Sequence, residues 1–576
     1  SLSNIKKSKQ EIVDADKLYS EKNYLGAIKS YEKILKNISS KNNPAEFAHV
    51  MINMGKAYID LACFVNKEEN SLKAISFLEE VTTKFSGEKY ANERAAAYKS
   101  IGNAYIFLAK VRDLEKNIPN AIENIDKALN FYNKDKYPYD YADSQKYKAF
   151  AFLQLAFAKD KEENILKALK SCDEALSIFT IQKYPTDYSI EKYHQGIMFT
   201  SLYEATGNSD YVKMACDAYN ESLKTVTLKN DPENYGYAQY YLGYTLQYVT
   251  YQKPLLENYE AAINAYNEAS KAFNKITNPF IYAAIKEGIG TVYVEMWGVC
   301  GKNNAEKALE AFDESLSIYT EEQYPLNFAT VKSEQGIAYR LLGKDKKNDE
   351  YYNNSVDSLK NSLDIFTIEK YPEAYGDSWN EIGLTYLCYS DPQRIEDYAS
   401  KALECFNKAL AVYTIKNNPI MFSYTHKNLA EAYIKLAELN KDKKLNTQKS
   451  IEESKQALNF FTEKDFLKVY ASVHIILGKG YQFLSKIENY EENLLNSNES
   501  LKQALKFYTY NNSPEVFAEI QKILGENYSS LSEINDKNEN ISHALDCFNE
   551  ALKFYTQKDY PDVYQKIMDK KKQLEQ

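Results

Sequence analysis

At 576 residues the chain is long enough for about four ordinary domains, yet its composition is uniform from end to end, and 44% hydrophobic with 26% charged residues excludes a disordered or fibrous polymer. Lys and Arg number 71 against 81 Asp and Glu, giving a formal charge of −10 without any basic block, which argues against nucleic acid as a partner. Seven cysteines without a Cys-x-x-Cys pair and five scattered histidines point to no disulfide framework and no structural metal, and they fit a reducing, cytoplasmic setting.

The chain opens on a polar stretch, Ser1-Leu2-Ser3-Asn4-Ile5-Lys6-Lys7, which is no signal peptide. Position 1 is not Met, so the chain reads as a tagged or excised piece. No apolar run reaches the ~18 residues of a membrane span. From residue 44 a repeat takes over. Prolines stand at 44, 138, 185, 232, 279, 325, 372, 419, 514 and 561, with Ala91 and Leu467 in the two vacant slots, in steps of 46, 47 or 48 residues. With the proline as zero, an aromatic stands at +3 in every unit except at Arg94, as in Tyr141, Tyr188 and Tyr235. A small residue follows at +4, for example Ala48, Ser189 and Gly236, and another at +11, for example Gly55, Gly196, Gly336 and Gly525. Seven residues apart, both lie on one helix face, where missing side chains let a neighbouring helix approach. A bulky residue recurs at +14, as in Tyr58, Tyr105 and Tyr528. The first helix of each unit is therefore predicted to start at the proline, which suits a first helical turn, and to run to about +20.

A second helix is predicted after a short polar turn. Asn70, Asn117, Asn164, Asn258, Asn304, Asn446, Asn493 and Asn540 precede its apolar-periodic stretch and are expected to cap it by accepting a free backbone N–H. Ala74, Ala121, Ala168 and their counterparts mark its buried small position. It closes on phrases such as Ala409-Leu410-Ala411-Val412-Tyr413-Thr414.

These columns resemble the tetratricopeptide repeat (TPR), with its Leu-Gly and Tyr signature in the first helix and Ala and aromatic positions in the second. The resemblance covers the whole chain and implies an all-α solenoid, a right-handed superhelix of stacked antiparallel pairs with about 25 helices. Residues 1–43 fit an ordinary-length opening pair, Glu11 to Tyr24 and then Gly26 to Leu35. Residues 44–560 read as eleven long units starting near 44, 91, 138, 185, 232, 279, 325, 372, 419, 467 and 514. Residues 561–576 read as a capping helix, since Gln565 and Lys572 replace the small columns. The units are longer than the family's norm, with 19 residues from Gly55 to Ala74, and Lys148, Gln195 and Gln335 replace the Leu of Leu-Gly. This long form is similar to the repeat arms attached to CHAT peptidases and STAND ATPases.

In such proteins the first helices line a concave groove, and the family's peptide-contact slots map here to about +5, +8, +12, +15 and +16. The richest unit begins at Pro232 and places Tyr237, Tyr240, Tyr244 and Tyr248 along one helical stripe, with Tyr193 from the unit before. Tyrosine offers a flat apolar face, few rotors and a polar tip, which suits gripping a peptide. A second candidate is Lys99 with Asn103, which resembles part of a carboxylate clamp, although the remaining clamp slots hold Tyr147, Ile190 and His194. No P-loop, dinucleotide fingerprint, His-Glu-x-x-His or nucleophile elbow is present, so neither catalysis nor a cofactor is expected. The expected function is a non-enzymatic scaffold or adaptor that holds a peptide or protein segment in its groove. The alternative is the sensory arm of a larger signalling or defence assembly whose effector lies elsewhere. Self-association is left undecided by the sequence.

Overall fold

The computed structural model describes residues 2–576, and among them every regular element is helical. The first of two units extends to Val292 and holds α1 (Leu2–Ser20), α2 (Tyr24–Leu35), α3 (Pro44–Ala62), α4 (Lys67–Lys84), α5 (Ala91–Ala109), α6 (Leu114–Phe131), α7 (Pro138–Leu155), α8 (Lys161–Leu176), α9 (Pro185–Thr206), α10 (Asp210–Ser222), α11 (Pro232–Gln252), α12 (Leu256–Ser270) and most of α13 (Pro279–Met296). The second, Tyr293–Gln576, holds α14 (Asn304–Leu316), α15 (Pro325–Lys346), α16 (Asp349–Leu363), α17 (Pro372–Tyr386), α18 (Ile395–Leu410), α19 (Pro419–Glu438), α20 (Lys443–Leu458), α21 (Leu467–Ser485), α22 (Tyr490–Ala504), α23 (Pro514–Leu531), α24 (Lys537–Leu552) and α25 (Pro561–Glu575). Each helix of α1 to α12 packs on the next, as does each of α14 to α25. Odd-numbered helices also touch one another, as α3 does α5 and α19 does α21. Each unit is thus an array of helix pairs whose first helices form a row.

The glycine column explains why the pairs close so tightly. Gly55 lies against Leu78, Gly102 against Ile125, Gly196 against Tyr219, Gly336 against Leu359 and Gly525 against Phe548, always a partner 23 residues on. A Cβ on any of these glycines would meet its partner's side chain at 3.0 Å or closer. All five partners, Leu78, Ile125, Tyr219, Leu359 and Phe548, are completely buried. Leaving out one methyl therefore seats a whole ring or branched chain, and burial of such a side chain is worth ~1.5–3 kcal/mol against ~1 kcal/mol for a mid-helix glycine. The aromatic at +3 adds a polar tie: the hydroxyls of Tyr141, Tyr188 and Tyr235 donate to Glu174, Glu221 and Glu268 of the second helix at 2.5, 2.7 and 2.5 Å.

The turns repeat as faithfully as the helices. Between a second helix and the next first helix, a threonine hydroxyl accepts the N–H three residues on, as Thr180 does from Lys183 and Thr367 from Lys370. Proline then opens the helix at a position that needs no N–H. The asparagines behave differently from the capping expectation. Asn70, Asn117, Asn164, Asn446, Asn493 and Asn540 are not caps; each sits inside its helix and donates its amide to the carbonyl five residues earlier, at 2.7–2.9 Å. The residues that start these helices are Asn66, Asp113, Asp160, Asp442, Asn489 and Asp536, all in the left-handed region with φ of 38–46°. Asn and Asp tolerate that conformation best among side-chain-bearing residues. The helix begins one turn before the apolar pattern because its first turn is solvated and acidic, as with Glu162 and Glu163 of α8.

Candidate functional site

Within the first unit, the row α3, α5, α7, α9 and α11 lines a cavity of about 590 Å³. Aromatic rings make up much of its wall. Tyr147 and Phe150 come from α7, Phe157 from the turn after it, Tyr193 from α9, and Tyr237 and Tyr241 from α11. His194 stands edge-on to Phe150 and to Tyr193, with ring centroids 4.5 and 4.4 Å away, and Tyr193 stacks on Tyr241 at 6.5 Å. The Tyr193 hydroxyl donates to Asn234 at 3.2 Å, which fixes its ring at the cavity wall. Burial pushes the Tyr193 hydroxyl well above its ordinary pKa, so it stays a neutral donor. Phe157 is 74% exposed, an apolar ring with no structural partner on most of its surface.

Polar groups gather toward α3 and α5, around a smaller cavity of about 220 Å³. Asp143 of α7 is buried and receives two cations, Lys99 at 3.0 Å and Lys146 at 2.7 Å. Burial alone would raise the Asp143 carboxyl, but Lys146 and Lys99 outweigh it and hold the pKa below its usual range. Lys99 also bonds Asp140 at 3.1 Å. Burial works against its ammonium, and the two carboxylates overcome that, leaving its pKa raised. A buried cation with two anions is costly to break, because whichever partner remains is an unpaired charge.

The residues singled out from sequence therefore fall into three places. Tyr193, Tyr237 and Asn103 line the aromatic cavity, and Asn103 lines the polar one as well. Lys99 lines the polar cavity with its charge committed to Asp140 and Asp143. Tyr240 turns toward Tyr266, 6.0 Å between centroids, while Tyr244 and Tyr248 both donate to Glu204, at 2.9 and 2.6 Å, outside both cavities. Of the other clamp slots, Tyr147 lines both cavities, His194 lines the aromatic one, and Ile190 packs into the core beside Tyr193 and Tyr219. Sequence reasoning missed Tyr241, Phe150 and Phe157. The signal was available at +9, where Tyr147, His194 and Tyr241 succeed one another in adjacent units.

The thiols of Cys172, Cys216, Cys388, Cys405 and Cys547 are pushed up by burial, away from the reactive thiolate. No cluster of three or more metal-binding side chains and no helix long and apolar enough to cross a membrane occurs among the described residues.

No family model and no curated protein sequence matches the chain. Solved structures similar to it include yeast Tom70, at 13% identity over 99% of this chain and 96% of that one with a TM-score of 0.35. Human IFIT1, as a dimer with m7Gppp-AAAA, is similar at 16% identity over 84% and 94% with a TM-score of 0.40. The quorum sensor NprR from B. thuringiensis, in its apo form, is similar at 15% identity over 69% and 98% with a TM-score of 0.41. Likeness at that level assigns neither partner nor activity. By their own geometry, the paired helices and glycine seams make each unit an α-solenoid of stacked helix pairs.

Proposed function

We propose that the chain is a non-enzymatic binding scaffold that holds a peptide or protein segment against the row of first helices, centred on the aromatic cavity. The observation that carries this reading is the cavity itself: five successive first helices contribute to one 590 Å³ space. Stacking needs only the flanks of these helices, and aromatic rings left facing open space are what a binding surface requires. Phe157 and Tyr241 serve as anchors, Tyr193 and Tyr237 as the rear wall and Asn103 as a polar contact. Tyr240, Tyr244 and Tyr248 support the edge. A reducing, cytosol-like compartment is the setting this reading assumes, and all seven cysteines are free thiols.

The test is selection of a displayed random-peptide library on the full chain, followed by anisotropy titration of the enriched peptides. Phe157→Ala and Tyr241→Ala should each weaken binding about tenfold or more; helicity and thermal midpoint should stay near wild type for Phe157→Ala, whereas Tyr241→Ala should keep helicity with a lowered midpoint, since its ring packs on Tyr193 and Tyr240. Phe157 is informative because, at 74% exposed, its removal cannot empty a core. Equal binding by both variants would overturn the reading.

A further inference from the structure

This inference rests on the binding reading above and concerns the chemistry of the occupant. The polar cavity adjoins the aromatic one and shares Asp60, Asn103 and Tyr147 with it. Every charged side chain lining it has a partner except one. Lys99 holds Asp140 and Asp143, and Asp60 accepts the Tyr19 hydroxyl at 2.6 Å. Lys56 of α3, half-buried at the cavity wall, has no carboxylate within 4.0 Å and no hydrogen-bond acceptor among the described residues. The carboxylates that face it, Asp60, Asp140 and Asp143, are the ones already engaged, and Lys99 is the cation that repels it. Burial and Lys99 outweigh the pull of Asp143, Asp140 and Asp60 and depress the Lys56 pKa, so its charge is only partly compensated in the free protein. Lys110, at the edge of the aromatic cavity, also lacks a carboxylate partner and lies 5.0 Å from the Phe107 ring. Lys146, by contrast, is held by Asp143 and faced by Glu191 and Asp187, so the unmatched positive charge at this end of the site is that of Lys56 and Lys110.

We propose that the occupant is a peptide segment carrying one acidic side chain, Asp or Glu, which pairs with Lys56 in the polar cavity while an adjacent aromatic or long aliphatic side chain fills the aromatic cavity. A side chain is favoured over a chain end by two features. One unmatched ammonium calls for one carboxylate, and the polar cavity, walled by Tyr19 of α1, Lys56 of α3, Lys99 of α5 and Asp143 of α7, opens along the same row of first helices as the aromatic one, so a side chain reaches it from a segment lying along that row. The carboxylate converts a lone, partly desolvated cation into a charge-assisted pair, which is where its binding energy comes from.

The test uses the full chain and two random-peptide libraries of the same design, one with amidated and one with free C-termini. On wild type, amidated peptides enriched for Asp or Glu next to Phe, Tyr, Leu or Met are expected. For an enriched peptide, Glu→Gln should cost about tenfold in affinity on wild type and less than about twofold on Lys56→Met, while Lys56→Arg keeps the preference. Methionine preserves the packed stem and removes a strained charge, so an unchanged or higher thermal midpoint is expected for that variant. Enrichment without acidic residues, enrichment only among free C-termini, or an acidic preference that survives Lys56→Met would each overturn this proposal while leaving the binding reading in place. Failure of wild type to enrich any peptide over the Phe157→Ala, Tyr241→Ala double variant would overturn both.

Discussion

Gly336 lies against Leu359 so closely that a Cβ would stand 2.5 Å from Leu359 Cγ and 3.1 Å from the Ser355 carbonyl. The backbone oxygen cannot move aside as the tip of a side chain can. Gly336→Ala should gain ~1 kcal/mol in helix propensity and lose ~1–3 kcal/mol to overpacking, so a lower thermal midpoint than wild type is expected. A higher midpoint would show that the seam has slack. His474 supplies a second test. Burial, with Lys506 close by, lowers its pKa to about 4, its Nδ1 has no hydrogen-bond partner, and Tyr470 packs on it at 4.4 Å. The unfolded chain takes up this proton near pH 6.5 and the folded chain only near 4, so stability falls as pH drops through that window. His474→Gln should remove about 1 kcal/mol of that loss at pH 5, allowing for partial exposure, with no comparable effect at pH 8. Thermal melts of both proteins at the two pH values give the comparison.

Elements show where the sequence was legible. Proline and glycine columns are local and recur at one spacing, so the positions of Pro185, Gly196 and Tyr188 suffice to place α9 and the face it buries. The asparagines were misjudged because hydrophobic periodicity starts one turn after the helix does. The exposed first turn of α8, with Glu162 and Glu163, carries no apolar signal, and the left-handed start at Asp160 has none either. Asn164 is 3% exposed and donates to the Lys159 carbonyl at 2.8 Å. Asn164→Ala leaves that carbonyl without its donor and should cost ~1–2 kcal/mol. Asn164→Asp, equal in shape but without a donor at neutral pH, should cost at least as much. By contrast Asp160→Gly, which frees a φ of 45° and sacrifices no capping hydrogen bond, should leave the thermal midpoint unchanged or higher. An Asn164→Ala midpoint equal to wild type would return these asparagines to the status of solvated helix starts.

At the scale of the whole molecule, repetition explains both what could be read and what could not. Each helix pair closes across its own glycine seam in the same register and stacks on its neighbours, so packing rules transfer from unit to unit and the fold follows from one register. The cavity does not follow, because it depends on how side chains at +5, +8, +9 and +12 of different first helices, and at +19 in the turn after α7, converge. Tyr237 and Tyr240 are three residues apart on α11, yet one lines the cavity and the other packs on Tyr266. Phe157 becomes a cavity wall only because α7 ends at Leu155 and the turn carries its ring there. Lys56 acquires meaning only when its neighbours' charges are seen to be committed elsewhere. The most direct measurement is photo-crosslinking of an enriched peptide to the full chain with benzoylphenylalanine substituted in turn at Phe157 and, as a comparison, at Phe64, another exposed turn aromatic of the same unit. Crosslinks from position 157 that compete away with unlabelled peptide, and none from 64, are the predicted result; competable crosslinks from 64 with none from 157 would place the ligand elsewhere and contradict the account.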